Sequence, residues 1–288
     1  MKTNKDKLVT QSVQGSISHP RSGRRPYRLD RDGKAQILPG TGGITYNVRV
    51  GDPAFGWAGD HIEPGVSIKI DGNNSSKGDN LGLGLLACIG NEARVVSGDA
   101  EGETGYVTGL HGGIYHVLID FSPEAMSEMK IGDDILIKAR GQGLELEDFS
   151  QVSIFNIDPG LFDELGIKEA DDKLKVPVTA EVPGHLMGSG IGSASAALGD
   201  YDITTGDEEE LEEYGLTDLD LGDIIYLEDC DNTYGREYRS DAGSIGVVAH
   251  SDCIKMGHGP GVTVIMSARD NIIQPEKSEN ANIVNYLA

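Results

Sequence analysis

The stretch Val95–Phe121, VVSGDAEGETGYVTGLHGGIYHVLIDF, decides how the chain is read. A strand leads into a Gly98-Asp99 turn, a second strand follows, and the glycines at 112 and 113 turn the chain into a third. Its β-branched and aromatic residues suit a pleated, half-buried surface, and turns this short join neighbouring antiparallel strands. His111 sits at the second turn and His116 alternates with Ile114 and Leu118, as a core residue of the third strand does.

The same rhythm extends outward in both directions. Ile44, Tyr46, Val48 and Val50 share one face of an expected strand, as do Val66, Ile68 and Ile70. MKIGDDILIKA (129–139) and LDLGDIIYLED (219–229) repeat one device, a Gly-Asp turn that reverses the chain into an alternating strand. Leu174, Val176, Val178 and Val182 mark another strand, which turns at Pro183-Gly184. Helices are few and short. SPEAMSEM is capped by Ser122 with Pro123 at the first position, and DPGLFDELG by Asp158. TTGDEEELEEYG offers Thr205 and Glu208 as a capping box inside an acidic surface excursion over 204–218, whereas DNLGLGLLACIGNEA has an ambiguous period and suits either a buried helix or a packed loop. The expected class is mainly β: an N-terminal arm over 1–40, a barrel-like domain over 41–150, and a larger β-rich part over 151–288.

Composition narrows the function. Forty-seven acids against 24 Lys and Arg leave a net charge of -23, a field that repels phosphate backbones and anionic membrane surfaces. Neither nucleic acid nor membrane is the expected partner; a small molecule is. Cys88, Cys230 and Cys253 form no CxxC pair, and no run approaches the roughly 20 apolar residues of a spanning helix, so a reducing cytoplasm is the expected setting. The basic stretch HPRSGRRPYRLDRDG (19–33), with Arg21, Arg24, Arg25 and Arg28, has no evident partner in its own chain, which suggests a homo-oligomer.

Four polar clusters carry candidate chemistry. GDPAFGWAGDHIEPG holds Asp60, His61 and Glu63, a set that suits a divalent metal or a carboxylate-oriented histidine. GLHGG places His111 where a substrate could meet it. VPGHLMGSGIGS brings His185 to a strand end before Gly188, Ser189 and Gly190, whose backbone could approach a ligand closely, while the strand and helix that a dinucleotide loop needs are missing. AHSDCIKMGHGPG places His250, Asp252, Cys253 and His258 at the end of a hairpin led in by Ile245 and Val247 and out by Val262, Val264 and Met266. No G-x-S-x-G elbow is present, so a serine hydrolase is not supported.

The 95–121 rhythm resembles the KOW element, a small SH3-like barrel unit that grips RNA with cations; here Asp99, Glu101 and Glu103 occupy that turn, so the resemblance implies the barrel and not the RNA. IGNEARVVSGDAEGETGYVTGLHGG, MKIGDDILIKARGQGLEL, VPGHLMGSGIGS and VVAHSDCIKMGHGPGVT, in that order, resemble the domain-of-unknown-function 4438 family, which implies a multi-part β-rich fold and no assigned activity. The valine-rich strand and Pro-Gly turn are also similar to the acetamidase/formamidase family, which implies a metal held by His and Asp for hydrolysis of small amides. The leading expectation is a metal-dependent hydrolase of a small polar molecule. It would use Zn, Mn, Fe or Mg on His61, His250, His258 and Asp252, with Asp60, His61, His185 and Asp252 in catalysis. The alternatives are a non-catalytic small-molecule-binding or scaffold protein and an RNA-binding KOW-type protein.

Overall fold

Val95–Phe121 folds as expected into consecutive antiparallel strands, and they supply half of a closed barrel in the computed structural model, which describes residues 1–21, 27–70 and 77–287. Its six strands are β1 (Gln11–Ile17), β2 (Gly65–Lys69), β3 (Glu92–Val95), β4 (Thr104–His111), β5 (His116–Asp120) and β6 (Asp134–Ala139). They run β1-β6-β3-β4-β5-β2, and β2 pairs again with β1 through Ser16↔Lys69 and Ile17↔Ile68. Closure leaves no edge among these six to pair with another chain. Alternation fills the inside: Val66, Ile68, Ala93, Val95, Val117, Ile119, Ile135 and Ile137 are all buried there. Helix α1 (Lys77–Leu86) resolves the ambiguous segment in favour of helix, and α2 (Pro123–Glu128), capped by Ser122 as read, plugs one end with Met126.

The arm belongs partly to this barrel. β1 lies within residues 1–40, Arg28 bonds Asp60, and Arg31 bonds Thr205, so the stretch is tied to its own chain; Arg24 and Arg25 lie outside the described residues. The strand expected over 44–50 is shorter than its alternation suggests. Only Ile44–Thr45 pair, with β2, and the chain then turns so that Tyr46 is exposed while Val48 enters a different core, that of the C-terminal sheet.

That second sheet contains β7 (Val152–Ile154), β8 (Ala180–Val182), β9 (Met187–Ile191), β10 (Asp200–Ile203), β11 (Ile224–Asp231), β12 (Glu237–His250) and β13 (Gly261–Ala268). Its order is β8-β11-β12-β13-β10-β9, with β7 added on β13, and only β8 and β11 run parallel. The Gly-Asp device works twice as read: Gly132 (φ 93°) and Gly222 (φ 90°) turn the chain just ahead of β6 and β11. A smaller sheet of Lys168–Ala170, Lys173–Val178 and Ile273–Lys277 packs beside it, and α3 (Pro159–Glu164) covers the same core. The acidic helix α4 (Glu208–Glu213) is capped by Asp207, which accepts the Glu210 N–H at 3.2 Å, and not by Thr205. Thr205 is elsewhere engaged, because its hydroxyl donates to Asp252.

Barrel and sheet meet where β4 crosses β12 and β13. A bulge at Val107–Gly109 brings the β4 backbone so close that a Cβ on Gly109 would stand 2.6 Å from that of Ala249, and the Leu110 N–H reaches Thr263 Oγ1 at 3.1 Å. Any side chain at 109 would force the two units apart. Among the described residues no helix is long and apolar enough to cross a membrane.

Candidate metal centre

β4 ends at His111 and β12 ends at His250, and this crossing sets their ring centroids 4.5 Å apart. His61, on the loop before β2 and held at φ 51°, lies 5.8 Å from His111 and 5.3 Å from His250. His258, in the turn between β12 and β13, lies 5.5 Å from His61. Four imidazoles distant in sequence thus converge at the junction of barrel and sheet. The hairpin read around His250 and His258 is present, as the antiparallel pairing of β12 and β13.

Two carboxylates join them from a strand. β10 reads Asp-Tyr-Asp-Ile, so Asp200 and Asp202 point to one face while Tyr201 and Ile203 fill the core on the other. Asp200 Oδ2 lies 2.9 Å from His250 Nε2, and Oδ1 accepts the Gly112 N–H at 2.7 Å. Asp202 Oδ1 lies 3.7 Å from His250 Nε2, and Oδ2 lies 2.8 Å from His258 Nδ1, with no aligned donor among the described residues.

An outer layer fixes the rings. Glu63, fully buried, accepts from His111 Nδ1 at 2.5 Å, His116 Nδ1 at 2.8 Å and the Gly42 N–H at 2.7 Å. His250 Nδ1 donates to the Ser251 carbonyl at 2.9 Å, and His61 Nδ1 lies 2.9 Å from Asp60 Oδ1, which in turn belongs to a carboxylate gripped by Arg28 at 2.6 Å. Nδ1 is engaged in each of His61, His111 and His250; of the Nε2 atoms, that of His250 meets Asp200 Oδ2 at 2.9 Å and that of His61 lies 3.5 Å from His258 Nδ1. Metal-ligating histidines are held in this way.

The charges follow the geometry. Burial opposes ionisation of Glu63, yet the His116 and His111 charges and hydrogen bonds hold its carboxyl well below the usual range. Burial likewise works against Asp200 and loses to His111 and His250, so it stays ionised; burial also works against a charged His250, and the Asp200 hydrogen bond overcomes it to push that histidine up to about 9. His61 moves the other way, down, because burial and the neighbouring His250 and His111 outweigh Asp60.

The expected site residues divide. Asp60, His61, His111, His250 and His258 gather here, and Cys253 shares a potential ligand set with His61 and His258. Asp252 is adjacent, but its Oδ1 accepts from Thr205 at 2.7 Å and faces Arg31 at 3.6 Å. His185 is not brought in: Leu186 of the same short turn is buried, so His185 faces outward, bonds Glu210 at 2.6 Å and keeps more than half of its side chain exposed. Gly188 and Gly190 belong to β9, which lies over the carboxylates; a Cβ on Gly190 would stand 2.1 Å from Asp202 Oδ2 and 2.5 Å from His258 Nδ1. The Ser189 side chain lies outside the described part of the structure. Asp200 and Asp202 were not among the expected site residues, although the two-residue spacing in GDYDI signals carboxylates on a single strand face.

The description "Domain of unknown function (DUF4438), N-terminal" matches residues 27–163, and "Domain of unknown function (DUF4438), C-terminal" matches 164–287. A solved structure described as "Crystal structure of TM1086" is similar at 52% identity, with a TM-score of 0.93 over 100% of this chain and 99% of that one. No curated protein matches. Matched from Tyr27 to Leu287, the chain belongs to the DUF4438 family.

Proposed function

We propose that the chain binds a divalent metal between barrel and sheet and uses it to hydrolyse a small, polar, amide-like molecule in the cytoplasm. One observation carries the metal reading: His61, Cys253 and His258, and likewise His111, Asp200 and His250, bring their ligand atoms within 4.8 Å of one another. The residues present fit such an ion: imidazole, carboxylate and thiol suit zinc or iron better than magnesium.

When bound, such an ion lowers the pKa of a coordinated water toward neutrality and polarises a carbonyl. Hydrolysis of an amide then places the water's hydroxyl on the acyl carbon and a proton on the departing amine. Asp252, held beside the centre by Thr205 and Arg31, is the carboxylate assigned to that transfer. Glu63 and Asp60 keep His111 and His61 in one tautomer and orientation. The side chains of His61, His111 and His258 are 9%, 12% and 19% exposed, too little for a polymer to reach the centre. The similarity of the valine-rich strand and Pro-Gly turn to acetamidases and formamidases supports the amide class.

The test is metal analysis of untagged protein before and after chelation, with melting temperature followed on adding back Zn, Mn, Fe or Mg. Stoichiometric metal, a raised melting temperature and metal-dependent amine release from short amides are expected. Protein that retains no metal and does not respond to any of the four overturns the reading. Binding without amine release leaves a metal-dependent small-molecule binder.

A further inference from the structure

We infer that the centre holds two ions, with the Asp202 carboxylate shared between them; this rests on the metal reading above. The donors separate into two sets with no common member, His61, Cys253 and His258 in one and His111, Asp200 and His250 in the other, the ligand atoms of each lying within 4.8 Å of one another. One tetrahedral ion takes four ligands at about 2.0–2.3 Å and cannot use both sets. Asp202 lies between them and addresses each with a different oxygen: Oδ1 stands 3.7 Å from His250 Nε2 and Oδ2 stands 2.8 Å from His258 Nδ1. The closer of the two contacts, Oδ2 to His258, is with the set that contains Cys253.

The sets also differ in character. The first set offers two nitrogens and a sulfur, which suits zinc; the second offers two nitrogens and an oxygen, a harder set open to zinc, iron or manganese. Among the described residues Cys253 Sγ otherwise has only a long contact, 3.7 Å to the Lys255 carbonyl.

The experiment uses the full chain without a tag, stripped by chelator and titrated with zinc by calorimetry, with bound metal counted by mass spectrometry. Two zinc ions per chain are expected. Cys253→Ser and His111→Ala should each retain one, and Asp202→Asn should weaken both by about tenfold or more. Cobalt loading assigns the sets independently: thiolate-to-cobalt absorption should persist in His111→Ala and vanish in Cys253→Ser. One ion per chain in the unaltered protein overturns the shared-carboxylate centre and leaves the metal reading standing; none overturns both. If a variant fails to fold, the stoichiometry and the cobalt spectrum of the unaltered chain still decide.

Discussion

The barrel and the C-terminal sheet bury their strands equally well but fill them with different chemistry. Inside the barrel the inward positions are Val, Ile and Ala, and its polar groups sit at the rim, where Glu63, His111 and His116 pair. In the sheet, polar residues lie on buried strand positions: Asp200 and Asp202 on β10, His250 at the end of β12, and Ser244 and Ser267 farther along, which bond one another and Asn232. The Ser–Asn group is satisfied from within the protein, while Asp200, Asp202 and His250 gather with His258 at the junction. The difference separates polar burial spent within one sheet from polar burial brought to a shared site.

Phe121→Ala should have the largest effect. It opens a cavity in the barrel core and should cost about 3–5 kcal/mol in denaturant unfolding, while metal stoichiometry stays that of the unaltered chain. Coupled loss of metal would mean that the barrel and the centre do not divide as described. Glu63→Gln comes next, at about 3 kcal/mol near neutral pH, because it leaves the buried His116 and the partly buried His111 without their carboxylate. Its pH dependence is fixed in sign. Burial works against the Glu63 charge but His116 and His111 hold its folded pKa well below the ordinary 4.5, so its contribution is complete above about 4.5 and disappears as the pH falls through the folded value. Melting curves of the two proteins should be far apart at pH 7 and draw together in acid; a constant gap refutes the assignment. Gly190→Ala is smaller in stability, about 1–3 kcal/mol, but should displace Asp202 or His258 and weaken metal binding.

How much of this was legible follows from the range of each signal. Strand alternation and Gly-Asp turns are local, and the barrel strands around 66–70, 95–121 and 129–139 could be read directly. The hairpin carrying His250 and His258 was local too. Closure of the barrel by Gln11–Ile17 was not, since nothing in QSVQGSI specifies its pairing with residues 134–139 and 68–69. His61, His111 and His250 meet only because a bulge and a glycine let β4 lie on β12, a tertiary fact outside any window. Thr205 shows the opposite failure: it fitted a capping motif, but a competing acceptor, Asp252, took its hydroxyl, and Asp207 capped α4 instead. The glycines of GSGIGS read as a ligand loop, yet Gly190 is required because β9 passes over Asp202 with no space for a side chain.

The least effect, and the sharpest control on the glycine argument, is Gly82→Ala. Gly82 lies inside α1, and a Cβ there would meet nothing within 4 Å. Alanine reduces the freedom of the unfolded chain and favours helix, so this change should stabilise by about 0.5–1 kcal/mol and leave metal binding untouched. Gly190→Ala, the same added methyl, should destabilise and weaken the centre. If both substitutions shift stability alike, glycine on β9 reflects strand composition; if they diverge in sign, it reflects the close cover over Asp202 and His258.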